Sequence, residues 1–280
     1  MYRIALVLML VAACHKTSST EKSTEKSAEP SHASIDPALT AVLSNPARTD
    51  AERARDKYRH PAETLAFFGL KPDMHVVELV PGGGWYTAIL APYLHDKGAL
   101  AITSADPNGP ADGEGTKQAQ AMATRLKSSP VFDKVTTVRM DDHEIQLGPD
   151  GSADMVVTFR NIHNWIPAGT APSVFAAVAK VLKPGGVLGV EDHRAVKDLT
   201  TKEVDDTGYV SEAQVIALAK AAGLELEERS EINANPKDTK DHPHGVWSLP
   251  PTYAGKDVDH DKYAAIGESD RMTLRFRKPR

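Results

Sequence analysis

A strand, an acidic residue, three glycines and the start of a helix follow one another in the run VVELVPGGGWYTAIL, from Val76 to Leu90. Consecutive glycines let the backbone turn sharply and approach a ligand without a Cβ atom in the way, and their N–H groups remain free to donate. Glu78 lies at the end of the apolar run, and in open α/β sheets ligands bind at the carboxyl ends of the strands. The segment therefore predicts a strand–loop–helix unit that binds a nucleotide-type cofactor at Gly82, Gly83 and Gly84.

The residues around the glycines distinguish between the known cofactor loops. A Walker loop needs Lys-Ser or Lys-Thr after the glycines, and neither pair is present. The dinucleotide fingerprint would begin at Gly82 and would place Thr87 where its third glycine belongs. The stretch from Glu78 to Gly84 instead resembles motif I of the class I S-adenosylmethionine (SAM) methyltransferases, (D/E)xGxGxG, with Val80 in place of the first glycine. Another nucleotide site and a purely structural turn remain the alternatives.

The first 14 residues, MYRIALVLMLVAAC, predict an export signal. Arg3 supplies a positive charge, and the apolar run from Ile4 to Ala13 is shorter than the roughly 20 residues of a membrane-spanning helix. The sequence VAAC resembles the lipobox of bacterial lipoproteins. This resemblance implies that Cys14, the single cysteine of the chain, is lipidated and anchors the protein to a bacterial membrane on its extracytoplasmic, periplasm-facing side. A plain secretory signal and a cytosolic protein are the alternatives.

Composition divides the rest of the chain into a tether and one domain. Residues 15–34 are rich in Ser, Thr, Lys and Glu and contain no large apolar residue, which predicts a disordered tether with a reach of roughly 25 Å. Residues 35–280 are long enough for one α/β domain, with a helical segment over 35–72 and a lid-like insertion over 233–268. A net charge of −5 without any Lys/Arg cluster argues against a nucleic-acid partner.

Short apolar runs alternate with helical segments along this domain, which favours a mostly parallel sheet with helices on both faces. The expected strands cover residues 75–79, 99–103, 135–140, 153–159, 187–190, 224–229 and 272–276. The segments LKPGG, TFRNIHNW and RMTLRFRKP also resemble class I methyltransferases, in particular a poorly described exported branch of the family. The resemblance implies the Rossmann-like class I methyltransferase fold, with a seven-stranded sheet whose last strand is antiparallel.

Two acidic positions after the second and third strands are candidates for holding the nucleoside part of SAM. A carboxylate at Asp106 can accept hydrogen bonds from both ribose hydroxyls, although an aspartate before proline is also typical of a turn. The resemblance places an adenine-binding acid after the third strand, where Asp142 is favoured over its neighbour Asp141. An exposed acidic turn is the alternative at that position.

The segment TFRNIHNW, Thr158 to Trp165, is densely polar for the end of a core strand. In the family this position faces the methyl group and the acceptor, which suggests Asn161 as a cofactor contact. His163 is the preferred general base, because an imidazole with an ordinary pKa near 6.5 accepts a proton around neutral pH. A structural histidine is the competing interpretation.

A second polar cluster, Glu191 to Arg194, follows the fifth strand. His193 is the reserve base, and Asp192 is suited to orienting its imidazole. Arg194 is suited to an acceptor carboxylate or phosphate, and solvated loop charges are the alternative for the whole cluster. His242 and His244 in the insertion form an H-x-H pair, which is too weak a signal to predict a metal site.

These observations predict a membrane-tethered, extracytoplasmic SAM-dependent methyltransferase. Glu78 and the three glycines would hold the methionine part of SAM, and the acceptor would be a small polar molecule. The rival hypothesis is a non-catalytic lipoprotein that binds a nucleoside-like ligand or a metal on the same fold, since fold alone does not decide function.

Overall fold

A seven-stranded sheet forms the centre of the computed structural model, which describes residues 35–141 and 144–280. The strands are β1 (His75–Leu79), β2 (Ala99–Ser104), β3 (Thr136–Arg139), β4 (Ala153–Phe159), β5 (Leu182–His193), β6 (Glu225–Ser230) and β7 (Arg271–Arg277). Their order across the sheet is β3-β2-β1-β4-β5-β7-β6. The first five strands run parallel, and β7 is antiparallel to both β5 and β6. The order reverses between β1 and β4, the point at which open α/β sheets form their ligand crevice.

Eleven helices belong to the described part of the chain, most of them placed between strands. They are α1 (Pro37–Val42), α2 (Asp50–Arg53), α3 (Asp56–Arg59), α4 (Pro61–Phe68), α5 (Thr87–Leu94), α6 (Glu114–Leu126), α7 (Ile162–Trp165), α8 (Ala171–Val181), α9 (Thr201–Thr207), α10 (Glu212–Ala221) and α11 (His260–Ile266). No helix within residues 35–141 and 144–280 is long and apolar enough to cross a membrane.

Two apolar cores lie on the two faces of the sheet. One includes Val174 and Phe175 of α8 with Val215 of α10, and the other includes Leu65 of α4 with Ile89 of α5. Both cores draw on the same parallel strands, whose side chains alternate between the faces. The strands are therefore apolar on both sides, and polar groups collect where the strands end.

The predicted fold is confirmed, including the antiparallel last strand. The strand β5 is longer than predicted, because it begins at Leu182 and includes the LKPGG segment that was expected to precede it. A short bulge in its pairing with β4, between Ala153 and Met155, accommodates this segment. The predicted export signal, Cys14 and the tether lie outside the described residues, as does Asp142.

Candidate active site

Two cavities lie at the carboxyl edge of the sheet. One, of about 330 Å³, is lined by the loop after β1, the end of β2, the start of α6 and the end of β3, including Val80, Gly82, Ser104 and Asp141. We call it the glycine-loop cavity. The other, of about 190 Å³, is lined by ten residues from the ends of β4 and β5 and from the segment that joins β6 to β7: Arg160, His163, His193, Val246, Trp247, Pro250, Pro251, Thr252, Glu268 and Ser269. We call it the histidine cavity.

The glycine loop has the backbone geometry of a ligand cradle. Gly82 and Gly84 have φ angles of +56° and +79°, in the left-handed region that favours glycine. A Cβ atom at Gly82 or Gly83 would meet no protein atom within 4 Å, whereas one at Gly84 would come within 2.9 Å of the Arg125 side chain. The loop therefore presents Gly82 and Gly83 to open space, whereas Gly84 is favoured by its positive φ and by the nearness of Arg125.

Val80 adopts the conformation expected of the glycine that it replaces in the motif. Its φ angle is +44°, which is strained for a β-branched residue. Its N–H donates to Thr103 Oγ1 at 2.7 Å, and its carbonyl accepts a bond from Asn161 Nδ2 at 3.4 Å. These two contacts hold the left-handed turn in place without a glycine.

Glu78 lies beneath the glycine loop rather than in the lining of its cavity. Its carboxylate accepts a 2.6 Å hydrogen bond from Thr87 Oγ1 in the first turn of α5, and only 1% of the residue is exposed. Burial raises the pKa of this carboxyl to about 7, and the bond from Thr87 opposes that rise. Glu78 thus ties the end of β1 to the start of α5.

Asn161 joins the end of β4 to the end of β1. Its Nδ2 donates to the carbonyl of Leu79 and to Thr158 Oγ1, both at 3.1 Å, in addition to Val80. The amide nitrogen is therefore fully used by protein acceptors and fastens the end of β4 to the end of β1. Among the described residues Asn161 positions the loop, and its amide nitrogen has no donor left for a ligand.

The acids after β2 and β3 are joined by one arginine. Arg139 forms ion pairs with Asp106, at 3.2 Å, and with Asp141. Asp106 also accepts from the Asn108 N–H at 2.8 Å, as an aspartate in a turn does. Asp141 lines the glycine-loop cavity, whereas Asp106 follows the lining residue Ala105. Asp142, the predicted adenine contact, cannot be placed because it lies outside the described residues.

His163 forms a dyad with Asp192 in the histidine cavity. Its Nδ1 lies 2.9 Å from Asp192 Oδ1, and Asp192 is held in turn by backbone N–H groups of Ile162, at 2.7 Å, and His193, at 2.8 Å. A carboxylate only accepts hydrogen bonds, so Nδ1 of His163 donates to Asp192, and Nε2 is the ring nitrogen left to exchange a proton. The arrangement is that of an oriented general base at the wall of a cavity.

The expected pairing of Asp192 with His193 is wrong, since Asp192 binds the imidazole of His163 instead. Successive side chains of a strand point to opposite sides, so a strand residue seldom reaches the ring of its immediate neighbour. His193 Nδ1 instead lies 2.5 Å from Ser269 Oγ, before β7. Burial, followed by the charges of His163 and Arg160, lowers the pKa of His193 well below its ordinary value, so its ring is neutral around pH 7.

A buried network of charges adjoins the histidine cavity, which its central residue Glu268 helps to line. Glu268 pairs with Arg55 at 2.6 Å, Arg59 at 3.0 Å and Arg271 at 2.7 Å. Arg271 also lies 2.9 Å from Glu191, which accepts from Tyr86 at 3.1 Å. Three guanidinium groups hold the pKa of Glu268 at about 2 although burial acts in the opposite direction.

Arg194 and His242 are both paired with carboxylates of the protein. Arg194 pairs with Glu231 at 2.8 Å, Asp270 at 2.9 Å and Glu212 at 3.3 Å, so its guanidinium has no free edge for an acceptor. His242 Nε2 lies 2.9 Å from Asp238, which also accepts from the Tyr209 hydroxyl. In the described part of the chain, one group of three His, Cys, Asp or Glu residues has ligand atoms close enough to hold a metal ion. It consists of His163, Asp192 and His193.

The N-terminal helices close over the glycine loop. The guanidinium carbons of Arg48 and Arg59 lie 5.0 and 4.7 Å from the centre of the Trp85 ring. The indole Nε1 of Trp85 donates to the Glu52 carbonyl at 3.0 Å. Glu52 also pairs with Arg125 of α6 at 2.7 Å. The sequence offered only weak signals for this contact, because Trp85 and Arg125 lie far along the chain from these helices.

Comparison with known proteins supports the fold and the cofactor. Residues 77–190, which contain the glycine loop, Asn161 and the His163 segment, match the model of a methyltransferase domain family. No curated protein sequence matches the chain.

Solved structures share this architecture at low sequence identity. The [4+2]-cyclase SpnF is similar over 87% of this chain and 92% of its own, with 19% identity and a TM-score of 0.58. A putative sarcosine dimethylglycine methyltransferase from Galdieria sulphuraria covers 82% and 86%, with 18% identity and a TM-score of 0.55. A SAM-dependent methyltransferase from Aquifex aeolicus covers 86% and 98%, with 17% identity and a TM-score of 0.52. The domain match supports a methyltransferase and indicates S-adenosylmethionine as the cofactor. The solved structures show that the chain has the class I methyltransferase fold.

Proposed function

We propose that this protein transfers a methyl group from SAM to a small polar acceptor bound in the histidine cavity. The observation that carries the proposal is the His163–Asp192 dyad, with a 2.9 Å contact, in the wall of a 190 Å³ cavity. A histidine with only a structural role has no need of an oriented Nε2 at a cavity wall. The small volume, on the order of six molecules of liquid water, favours a small acceptor over a lipid tail or a polymer.

The residues of the glycine-loop cavity fit the cofactor. Gly82 lines this cavity, and both it and the adjacent Gly83 leave room for a ligand where a Cβ atom would meet no protein atom. Ser104 and Asp141 supply polar atoms at the ends of β2 and β3. Asp106 remains the proposed ribose contact and Asp142 the proposed adenine contact. When bound, SAM supplies an electrophilic methyl group for an in-line displacement.

In the proposed mechanism, the chain aligns the acceptor and removes its proton. His163 Nε2 takes the proton from an acceptor O–H or N–H, and Asp192 stabilises the imidazolium that results. His193, which stays neutral, supplies a second polar atom to hold the acceptor. Trp247, Pro250 and Pro251 from the β6–β7 segment cover the cavity and exclude water. Asn161 fixes the position of the His163 segment relative to the glycine loop. Correct orientation of base, acceptor and methyl donor contributes much of the rate enhancement in such a reaction.

The proposal includes an extracytoplasmic location, with the domain tethered to a membrane through lipidated Cys14. Labelling of producing cells with radioactive palmitate should mark the wild-type protein and leave Cys14→Ala unlabelled. Equal labelling of the two proteins would refute the anchor and would leave the enzymatic proposal intact.

Binding and transfer are tested on the purified protein in sequence. Calorimetry should detect S-adenosylhomocysteine, and Gly83→Leu should weaken its binding because the new side chain fills the open space without touching the protein. Incubation with methyl-labelled SAM and a fractionated pool of small metabolites should then yield a labelled small molecule, which mass spectrometry identifies. Absence of any heat at millimolar S-adenosylhomocysteine would overturn the proposal.

A further inference from the structure

Arg160 enters the histidine cavity on a strained backbone. It directly follows β4, has a φ angle of +61°, and donates its N–H to the Glu191 carbonyl at 2.7 Å. Left-handed backbone is unfavourable for a residue with a Cβ atom, and such strain concentrates at functional sites. The side chain lines the histidine cavity beside His163 and His193.

The guanidinium of Arg160 differs from those around it in having no direct partner. Arg55, Arg59, Arg194 and Arg271 each form at least one ion pair of 3.0 Å or less. The Arg160 side chain forms no hydrogen bond or ion pair with any residue in 35–141 or 144–280. Burial and the nearby charge of Arg59 lower its pKa to about 9, so the group is still a cation at neutral pH.

The charges near the cavity sum to an excess of positive charge. Four guanidinium groups, those of Arg55, Arg59, Arg160 and Arg271, face three carboxylates, those of Glu191, Glu268 and Asp192. All three carboxylates already accept hydrogen bonds or ion pairs from the protein. Arg160 is only partly exposed, so its cation has lost part of its hydration without gaining a partner from the described residues, and an anion would supply that partner.

The same balance argues against a metal ion at His163, Asp192 and His193, although one ligand atom from each lies within 4.8 Å of the others. A divalent cation there would add positive charge beside Arg160. It would also compete for Asp192, whose two oxygens already accept from the His163 ring and from backbone N–H groups. An anion, by contrast, completes the set of ion pairs.

We infer that the methyl acceptor carries a compact anionic group, such as a carboxylate, which Arg160 binds in the histidine cavity. The inference rests on the proposed function, and it narrows the acceptor class to small anions with a nucleophilic O–H or N–H. Arg160 anchors the charge, and His163 Nε2 faces the group that loses its proton. A carboxylate is also present in the methionine part of SAM, but no residue of the glycine loop lines this cavity.

The test uses acetate as the probe and the full-length protein, with and without saturating S-adenosylhomocysteine. NMR resonances of the His163 and His193 ring protons should shift saturably as acetate is added. Arg160→Gln should weaken acetate binding roughly tenfold to a hundredfold, the loss expected for a charged hydrogen bond. Arg160→Lys should restore part of it. Arg229→Gln, in a partly exposed ion pair outside the cavity, is the matched control and should bind acetate as the wild type does.

Several results would overturn the inference. The inference is wrong if acetate leaves the histidine resonances of the wild type unmoved, or if it binds Arg160→Gln as well as the wild type. A saturable zinc shift at the same histidines, without any acetate effect, would identify a metal site instead. Loss of S-adenosylhomocysteine affinity in Arg160→Gln, with acetate binding intact, would assign the arginine to the carboxylate of the cofactor. If acetate binds as expected while S-adenosylhomocysteine does not bind the wild type, the anion site stands and the methyltransferase proposal fails.

Discussion

The two cavities at the carboxyl edge of the sheet are built by opposite means. The glycine-loop cavity is shaped mainly by backbone, with glycines at positive φ and few side chains in the way. The histidine cavity is shaped by side chains, with a buried dyad, an arginine without a partner and a charge network beside it. The first design suits a cofactor that many related folds bind, and the second suits one particular acceptor. Recognition of the acceptor therefore depends on contacts that are distant in the sequence.

The largest effect is expected from breaking the dyad. Asp192→Asn should lower the rate of methyl transfer about 10²- to 10⁴-fold, because His163 loses both its orientation and the charge that stabilises its imidazolium. Initial rates with the identified acceptor provide the measurement. The affinity for S-adenosylhomocysteine should stay within about threefold of the wild type, as the glycine-loop cavity is not touched.

His244→Gln is the control for this experiment, because His244 is an exposed histidine in the β6–β7 segment and lines neither cavity. It should keep the wild-type rate. If Asp192→Asn also keeps the wild-type rate, His163 is a structural histidine, and the histidine cavity loses its proposed role.

Disruption of the charge network should mainly affect stability. Glu268→Gln leaves Arg55, Arg59 and Arg271 without their shared carboxylate, and the loss of one partner in a buried ion cluster costs about 3–5 kcal/mol. Urea unfolding of both proteins at pH 7 measures the difference. The exposed pair Lys202–Asp206 provides the control, since Asp206→Asn should change stability by less than about 1 kcal/mol.

The pH dependence of this effect follows from the direction of the shift. The folded pKa of Glu268, about 2, lies below its ordinary 4.5, so its contribution is complete above pH 4.5 and disappears as the pH falls through 2. The difference between wild type and Glu268→Gln should therefore shrink on acidification. An unchanged difference at pH 3 would indicate that packing, not charge, accounts for the loss.

At the glycine-loop cavity, the contribution of Glu78 to stability should depend on pH in the opposite direction. Its folded pKa of about 7 lies above the ordinary 4.5, so the native state is penalised as the carboxyl ionises. The penalty is absent below pH 4.5 and complete above pH 7, where it reaches about 3 kcal/mol. Glu78→Gln keeps an acceptor for Thr87 without the charge. The free energy of unfolding of this variant, relative to that of the wild type, should rise between pH 5 and pH 8. An equal difference between the two proteins at both pH values would contradict the raised pKa of Glu78.

The sequence predicted what depends on local patterns. The strands β1 and β4 have the predicted bounds, because apolar β-branched runs followed by Gly, Pro or polar residues are local signals. Helix α10 begins after Ser211 as expected, and Ser211 forms a capping box with Gln214. The strand β5 was predicted too short, since a Pro-Gly-Gly segment inside a strand resembles a turn until its bulge is seen.

The sequence could not predict which charged side chains lack an ion-pair partner. Arg194 looked available and is fully paired, because its partners Glu231 and Asp270 lie 37 and 76 residues further along the chain. Arg160 received no role from the sequence, and only its lack of a partner in the folded structure distinguishes it. The partner of Asp192 was misassigned for a related reason, since sequence adjacency favoured His193 over a histidine 29 residues away.

The smallest effect concerns Val80, where the glycine loop departs from its motif. Val80→Gly removes the strain of a β-branched residue at φ +44°, which costs about 1–3 kcal/mol, but adds roughly 0.5–1 kcal/mol of backbone entropy and gives up some apolar packing. The free energy of unfolding should therefore rise by only about 0.5–1 kcal/mol. Val80→Ala, which keeps most of the strain and loses two methyl groups, should instead be less stable than the wild type. If Val80→Gly is also destabilised, the valine side chain contributes more through packing than its backbone costs, and this part of the glycine-loop cavity is shaped by a side chain as well.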